Sequence, residues 1–255
     1  MPLELLEQFY TTRNLRRRLG SRAERDFLEL GAFNISNLED DFPGDTLWGG
    51  YQSTASGAAS AAAAISTGVV NGAILLDAGT DDNGRCDLSW GLHYQAQLNA
   101  IYIARFKVPV ITTRKFEIGF TDVISGTDAG AVNAKAGDGT WTAENATVLC
   151  FDTDDDAVLT LMGVKATVAA TSADFSTTLV ADTYYYFGIA LFGDDNAKGF
   201  LLDANGAFLE EETIENCITA DTLLTPWLFV QNRAANAGSM TLDWHRAYQR
   251  RTTTA

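Results

Sequence analysis

The sequence contains no run of about 18 apolar residues, so it predicts no membrane-spanning helix. Histidine is nearly missing, with only His93 and His245, and a Ser-His-Asp type of triad would have to use one of them. No G-x-S-x-G is present. Proline is scarce, at 4 residues. The three cysteines, Cys86, Cys150 and Cys217, are widely spaced with no CxxC or Cys/His cluster, which argues against zinc. Buried thiols are the expected reading, with one disulfide left open. The first ten residues lack a basic stretch followed by a long apolar one, so no secretory signal is expected and synthesis in a cytoplasm is the default. Without secretion, the sequons Asn34-Ile-Ser and Asn145-Ala-Thr carry little weight.

Basic residues are also few. Lys and Arg number 18 against 33 Asp and Glu, a formal charge of −15 over 255 residues. Phosphate contacts need clustered cations, so no nucleic-acid partner is expected for the body. The imbalance is uneven, however. Residues 1–25 carry Arg13, Arg16, Arg17, Arg18, Arg22 and Arg25 against three glutamates, a net of +3, which leaves −18 for the remainder.

What is abundant is glycine (22 residues), Thr and aromatics, the composition of strands joined by tight turns. From residue 65 onward, short β runs alternate with turn signals. Ile101, Ile103 and Arg105 oppose Tyr102, Ala104 and Phe106. Phe116, Ile118 and Phe120 oppose Glu117 and Gly119, a period of two with one half buried. Val158 to Met162 and Val164 to Ala169 read as a hairpin about Gly163. Thr183 to Phe192, Gly199 to Leu202 and Ala207 to Leu209 read as a meander, with Asp194-Asp-Asn and Asp203-Ala-Asn-Gly as turns. Thr222 to Gln231 and Met240 to Gln249 close the pattern. Helical periods are missing here, so a parallel sheet has no crossovers. The expected class is all-β, an antiparallel sandwich of two sheets.

Three regions follow: an arm over 1–35, a connector with an Ala/Ser/Gly-rich loop over 36–64, and a β-sandwich over 65–251. The spacing predicts a helix from about 21 to 30. An arm this short has no core of its own and must pack on something else. Its Leu3, Leu6, Phe9 and Tyr10, interleaved with the six arginines, fit a protein interface, where Arg and aromatics are enriched.

The order of strands carries a resemblance. Ile101 to Val108 (IYIARFKV) is followed by Lys115 to Asp122 (KFEIGFTD), Tyr184 to Leu191 (YYYFGIAL) and Phe200 to Gly206 (FLLDANG). Thr225 to Arg233 (TPWLFVQNR) and Leu242 to Gln249 (LDWHRAYQ) come last. This resembles the concanavalin A-like (LamG, lectin/glucanase) jelly roll, in the versions found in structural proteins of tailed bacteriophages. The resemblance covers about 65–250 and implies a virion component made in the host cytoplasm. That component is expected to be a head decoration or cement protein, packed on the major capsid protein or other virion proteins, and a homo-oligomer. The alternative is a lectin-like module of a tail or fibre that binds a surface glycan. Fold alone does not decide function.

Each candidate site has a blander reading beside the functional one. Glu210, Glu212 and Glu215 superficially match a glucanase acid pair, but read better as a solvated strand edge. No catalytic residue is expected. Asp152, Asp154 and Asp156 begin like a calcium loop, yet Ala157 and Gly163 stand where glycine and glutamate belong. The expectation is an acidic turn without a cofactor, with a surface Ca²⁺ site as the alternative. Trp227 and Trp244 are expected in the core, and His245 in a groove sharing a face with Asp243. Trp48 and Trp141, in loops, are the candidates for a glycan or protein interface.

Overall fold

The computed structural model describes residues 35–42, 46–47, 49–57, 61–66, 69, 72–123 and 130–250. The arm, with Leu3, Leu6, Phe9, Tyr10 and the arginines from Arg13 to Arg25, lies outside the described residues, as does Trp48. One compact unit spans Asn37–Gln249.

The strands in chain order are β1 (Ile35–Asp40), β2 (Ala55–Ser56), β3 (Ala62–Ile65), β4 (Ile74–Asp77), β5 (Arg85–Ser89) and β6 (Ile101–Lys107). Next come β7 (Arg114–Thr121), β8 (Val132–Ala134), β9 (Thr140–Trp141), β10 (Ala146–Asp152), β11 (Leu159–Lys165) and β12 (Val168–Ala169). The last are β13 (Ala173–Asp174), β14 (Tyr185–Phe192), β15 (Asn196–Leu202), β16 (Phe208–Ile214), β17 (Thr225–Asn232) and β18 (Ser239–Arg250). Two eight-stranded sheets form an antiparallel jelly-roll sandwich. The first runs β16-β15-β14-β6-β18-β4-β3, with β1 beside β18. The second runs β12-β11-β10-β7-β17-β5-β2, with β13 beside β11. β8 and β9 form a small hairpin of their own.

Alternation decides which residues meet. Tyr102, Ala104 and Phe106 of β6 face Phe116, Ile118 and Phe120 of β7 across the interior, with Phe187, Ile189 and Leu191 from β14. Phe106 stacks on Phe187 at 4.3 Å and Phe116 on Phe151 at 5.1 Å. Each such pair adds about 0.5–1.5 kcal/mol beyond the burial of its area. The meander from β14 to β16 has the register its polar turns demand, Phe192 opposite Asn196 and Leu202 opposite Phe208.

Four local expectations differ from the structure. β11 runs straight through Gly163, and the chain reverses at Ala166 and Thr167, both with positive φ (47° and 71°). Gly163 is small for packing, since a Cβ there would lie 2.5 Å from that of Cys217. Ala62–Ile65 pairs with β4, so the sandwich begins before residue 65. A register shift between Leu242 and Trp244 turns Asp243 away from His245. Asp243 bonds Arg105 on the outward side, while His245 points into the interior and is fully buried. Trp244 is accordingly half-buried on the outward side, against Tyr186, and is not in the core.

Candidate functional site

The second sheet has an outward face as well as an inward one, and the sequence pattern assigns it to solvent. Every residue of β7 is nevertheless buried. Residues 130–143 and the β8–β9 hairpin supply the cover. Ala131, Val132 and Ala143 form a second apolar cluster with Val148, Cys150, Met162, Val164, Trp227 and Phe229, all on that face.

Glu117 lies at its centre, flanked by Cys150 on β10 and Phe229 on β17. Its carboxylate accepts hydrogen bonds from the Ala131 amide (2.8 Å), the Val132 amide (3.1 Å) and the Trp227 indole Nε1 (2.9 Å). Lys115, two residues earlier on the same face, reaches it at 3.0 Å and donates to the Val132 carbonyl. Both side chains are fully buried. Trp227 is therefore buried, as its strand implies, but it faces this second cluster and not the space between the sheets.

A charge in an apolar setting persists only when paired and hydrogen-bonded. Here four donors meet one carboxylate and clamp residues 131–132 onto the sheet. Such a carboxylate is not poised to exchange a proton with a substrate, which needs a reachable group. Gly119, next on the same face, is required by closeness: a Cβ would sit 2.1 Å from the Thr147 carbonyl oxygen.

Two cations, Arg233 and Lys135, engage the four carboxylates of the acidic turn. Arg233 donates to both oxygens of Asp152, with its Nε at 2.8 Å, and stands 3.5 Å from Asp154. Lys135 pairs with Asp156 and lies 3.8 Å from Asp155. Burial alone would raise the Asp156 carboxyl, but Lys135 holds it below the usual range. Asp152, Asp154 and Asp156 are thus engaged by cations, and no set of three or more metal-ligating side chains occurs among the described residues.

Glu210 on β16 accepts four hydrogen bonds of 2.7–2.8 Å, from the amides and hydroxyls of Ser176 and Thr177. Partial burial opposes ionisation, yet these bonds pull the carboxyl down to about 2. Trp141, on β9, is half-buried, and its indole N–H donates to the Asp138 carbonyl at 3.2 Å. Asn145 of the second sequon is buried, its Oδ1 taking the Thr219 hydroxyl at 2.5 Å.

At another place, inside the sandwich, His245 bonds the Tyr51 hydroxyl at 2.7 Å, which in turn donates to Asp40 at 2.7 Å. The sequence gives no local sign of this chain, because its members lie 11 and 194 residues apart. The Lys115–Glu117 pair shows in the sequence only as two charges at alternate positions in an aromatic strand, a pattern that ordinarily means solvent.

Among solved structures, the chain is similar to a protein of unknown function from Shewanella oneidensis MR-1. That match has 17% identity and a TM-score of 0.64, and it covers 92% of this chain and 96% of the other. Lectin II from Ulex europaeus matches with 9% identity and TM-score 0.58, over 86% of this chain and all of the lectin. The fold is that of the concanavalin A-like lectins. The same sandwich is found in the CBM2 module of the evolved Dit of Lactobacillus casei BL23 phage J-1, with 11% identity and TM-score 0.50, over 87% and 99% of the two chains. No family model matches the chain, and no curated protein matches it in sequence.

Proposed function

We propose that this concanavalin A-like sandwich is a structural protein of a bacteriophage virion, decorating or cementing the head, and that it acts by packing and not by catalysis. In this reading, residues 3–30 contact the major capsid protein, other virion proteins or further copies of the chain, and the sandwich faces outward. Against a catalytic role for Glu117 stands the covered outward face of the second sheet, where the acid is consumed by Lys115, Trp227 and two amides. The acidic strand is no better suited to catalysis. A Glu210 held at about 2 is far from the value a general acid needs near neutral pH. The charge division adds support, since a Leu- and Arg-rich segment of +3 beside a remainder of −18 suits docking on an acidic protein surface.

The test is attachment of the chain lacking residues 1–30 to purified virions. Loss of attachment is expected, whereas attachment as tight as that of the intact chain overturns the reading.

A second reading is a glycan-binding module of a tail or fibre. Trp141 on its hairpin favours it, because this indole packs on the second apolar cluster yet keeps part of its surface in solvent, and indoles stack on sugar rings. Glycan-array binding that vanishes in Trp141→Ala or Trp48→Ala would decide for it.

A further inference from the structure

The Asp40–Tyr51–His245 chain sits where the connector meets the sandwich, and its donor order can be read from its chemistry. The Tyr51 hydroxyl donates its one proton to Asp40, so its oxygen accepts from His245. The imidazole is therefore protonated on Nε2, and its second nitrogen, Nδ1, has no hydrogen-bond partner although it is buried. The ring lies within 4.6 Å of Trp90 and 6.1 Å of Tyr102, which the body supplies, and 5.3 Å from Phe42 and 5.7 Å from Tyr51, which the connector supplies. Among the described residues, Phe42 and Tyr51 of the connector thus supply two of the four rings that surround His245.

We propose that Asp40, Tyr51 and His245 form an acid-operated latch, which holds Asp40, Phe42 and Tyr51 on the sandwich while His245 is neutral and releases Phe42 and Tyr51 when it is protonated. A proton entering the closed site must go to Nδ1, which faces only rings and finds no acceptor. In the open site water reaches both nitrogens, because Phe42 and Tyr51 have left. The proton therefore favours the open state.

The other charged groups nearby do not change this direction. Among the described residues Asp40 is the one charge acting on the ring, and it favours the imidazolium, but burial outweighs it and pushes the ring down to about 3. Tyr51, Tyr94 and Tyr102 are neutral, all held above their usual value by burial. Asp243 and Arg246, beside His245 on β18, pair with Arg105 and Glu39. Asp41 is raised by burial and by Asp243, Asp40 and Glu39, which works in the opposite sense, favouring the closed form as pH falls.

Since the closed value of His245 lies below its ordinary 6.5, the stability conferred by the neutral ring is complete above pH 6.5 and is lost progressively toward pH 3. The opening equilibrium grows about tenfold per pH unit across that window. The latch stands independently of the virion reading.

The test is amide hydrogen exchange of the full chain between pH 7 and 4.5, corrected for intrinsic rates. Amides of Asp41, Phe42, Gly49, Gly50 and Tyr51 are expected to lose protection about tenfold per pH unit, while those of β7 and β10 stay protected. His245→Asn should flatten that dependence, and Tyr51→Phe should leave the segment open already at pH 7. A proton NMR titration of the two histidines needs no variant and should show one ring still neutral well below pH 6.5. Protection independent of pH, a slope that survives in His245→Asn, or two rings titrating near 6.5 would overturn the latch.

Discussion

Lys115 and Glu117 face each other at 3.0 Å on the outward side of a β-sheet, and water reaches neither. The pair exists because residues 131–132 fold over it and bond the same carboxylate. Removing one partner should therefore be far more damaging than a surface mutation. Glu117→Ala removes the counter-charge of a buried ammonium and leaves two amides and the Trp227 indole without their acceptor, and should cost about 3–5 kcal/mol in urea denaturation. A loss under about 1 kcal/mol would mean that the cover over this face is open in solution.

Gly119 adds a steric test on the same face. Its Cβ position is 2.1 Å from the Thr147 oxygen and 2.7 Å from the Val148 Cα, so β10 itself must move to accept a methyl group. Gly119→Ala should cost about 1–3 kcal/mol by overpacking. An unchanged denaturation midpoint would contradict the register between β7 and β10.

The thiols offer a check on burial. Cys86, Cys150 and Cys217 are free and buried, and burial pushes Cys86 up to about 12, Cys217 up to about 11 and Cys150 higher still. Since the thiolate is the reactive form, a disulfide reagent should label none in the native protein at pH 8 and all three in denaturant. Fast labelling of any of them without denaturant would show that its strand is exposed.

Glu210 bears on pH. Its folded value of about 2 lies below the ordinary 4.5, so it stabilises the fold above pH 4.5, and that contribution fades as pH falls toward 2. Because the group is only partly buried, the effect should be small. Carboxyl NMR should find Glu210 still ionised at pH 3.5. A midpoint near 4.5 would mean that the Ser176 and Thr177 hydrogen bonds do not form in solution.

Much of the sandwich is legible because alternation is a local property. Phe116, Ile118 and Phe120 announce an inward face by themselves, and Asp203 to Gly206 announces a turn. The burial of Glu117 and Lys115 is not legible, since their cover arrives from residues 131–132 and charges in a strand ordinarily mean solvent. The strand Arg85–Ser89 escapes the pattern for the same reason: Arg85 and Asp87 are buried by tertiary contacts. His245 escapes because one extra residue at Asp243 reverses the faces of β18. Such a bulge has no signature in periodicity.

The most direct test of the packing account is to place a photo-crosslinking residue at Phe9 and irradiate virions purified from the producing host. The account predicts adducts to the major capsid protein, to another virion protein or to a second copy of the chain, with far fewer from a crosslinker at Trp141. Adducts from position 141 alone, or none from position 9 in particles that carry the protein, would contradict it.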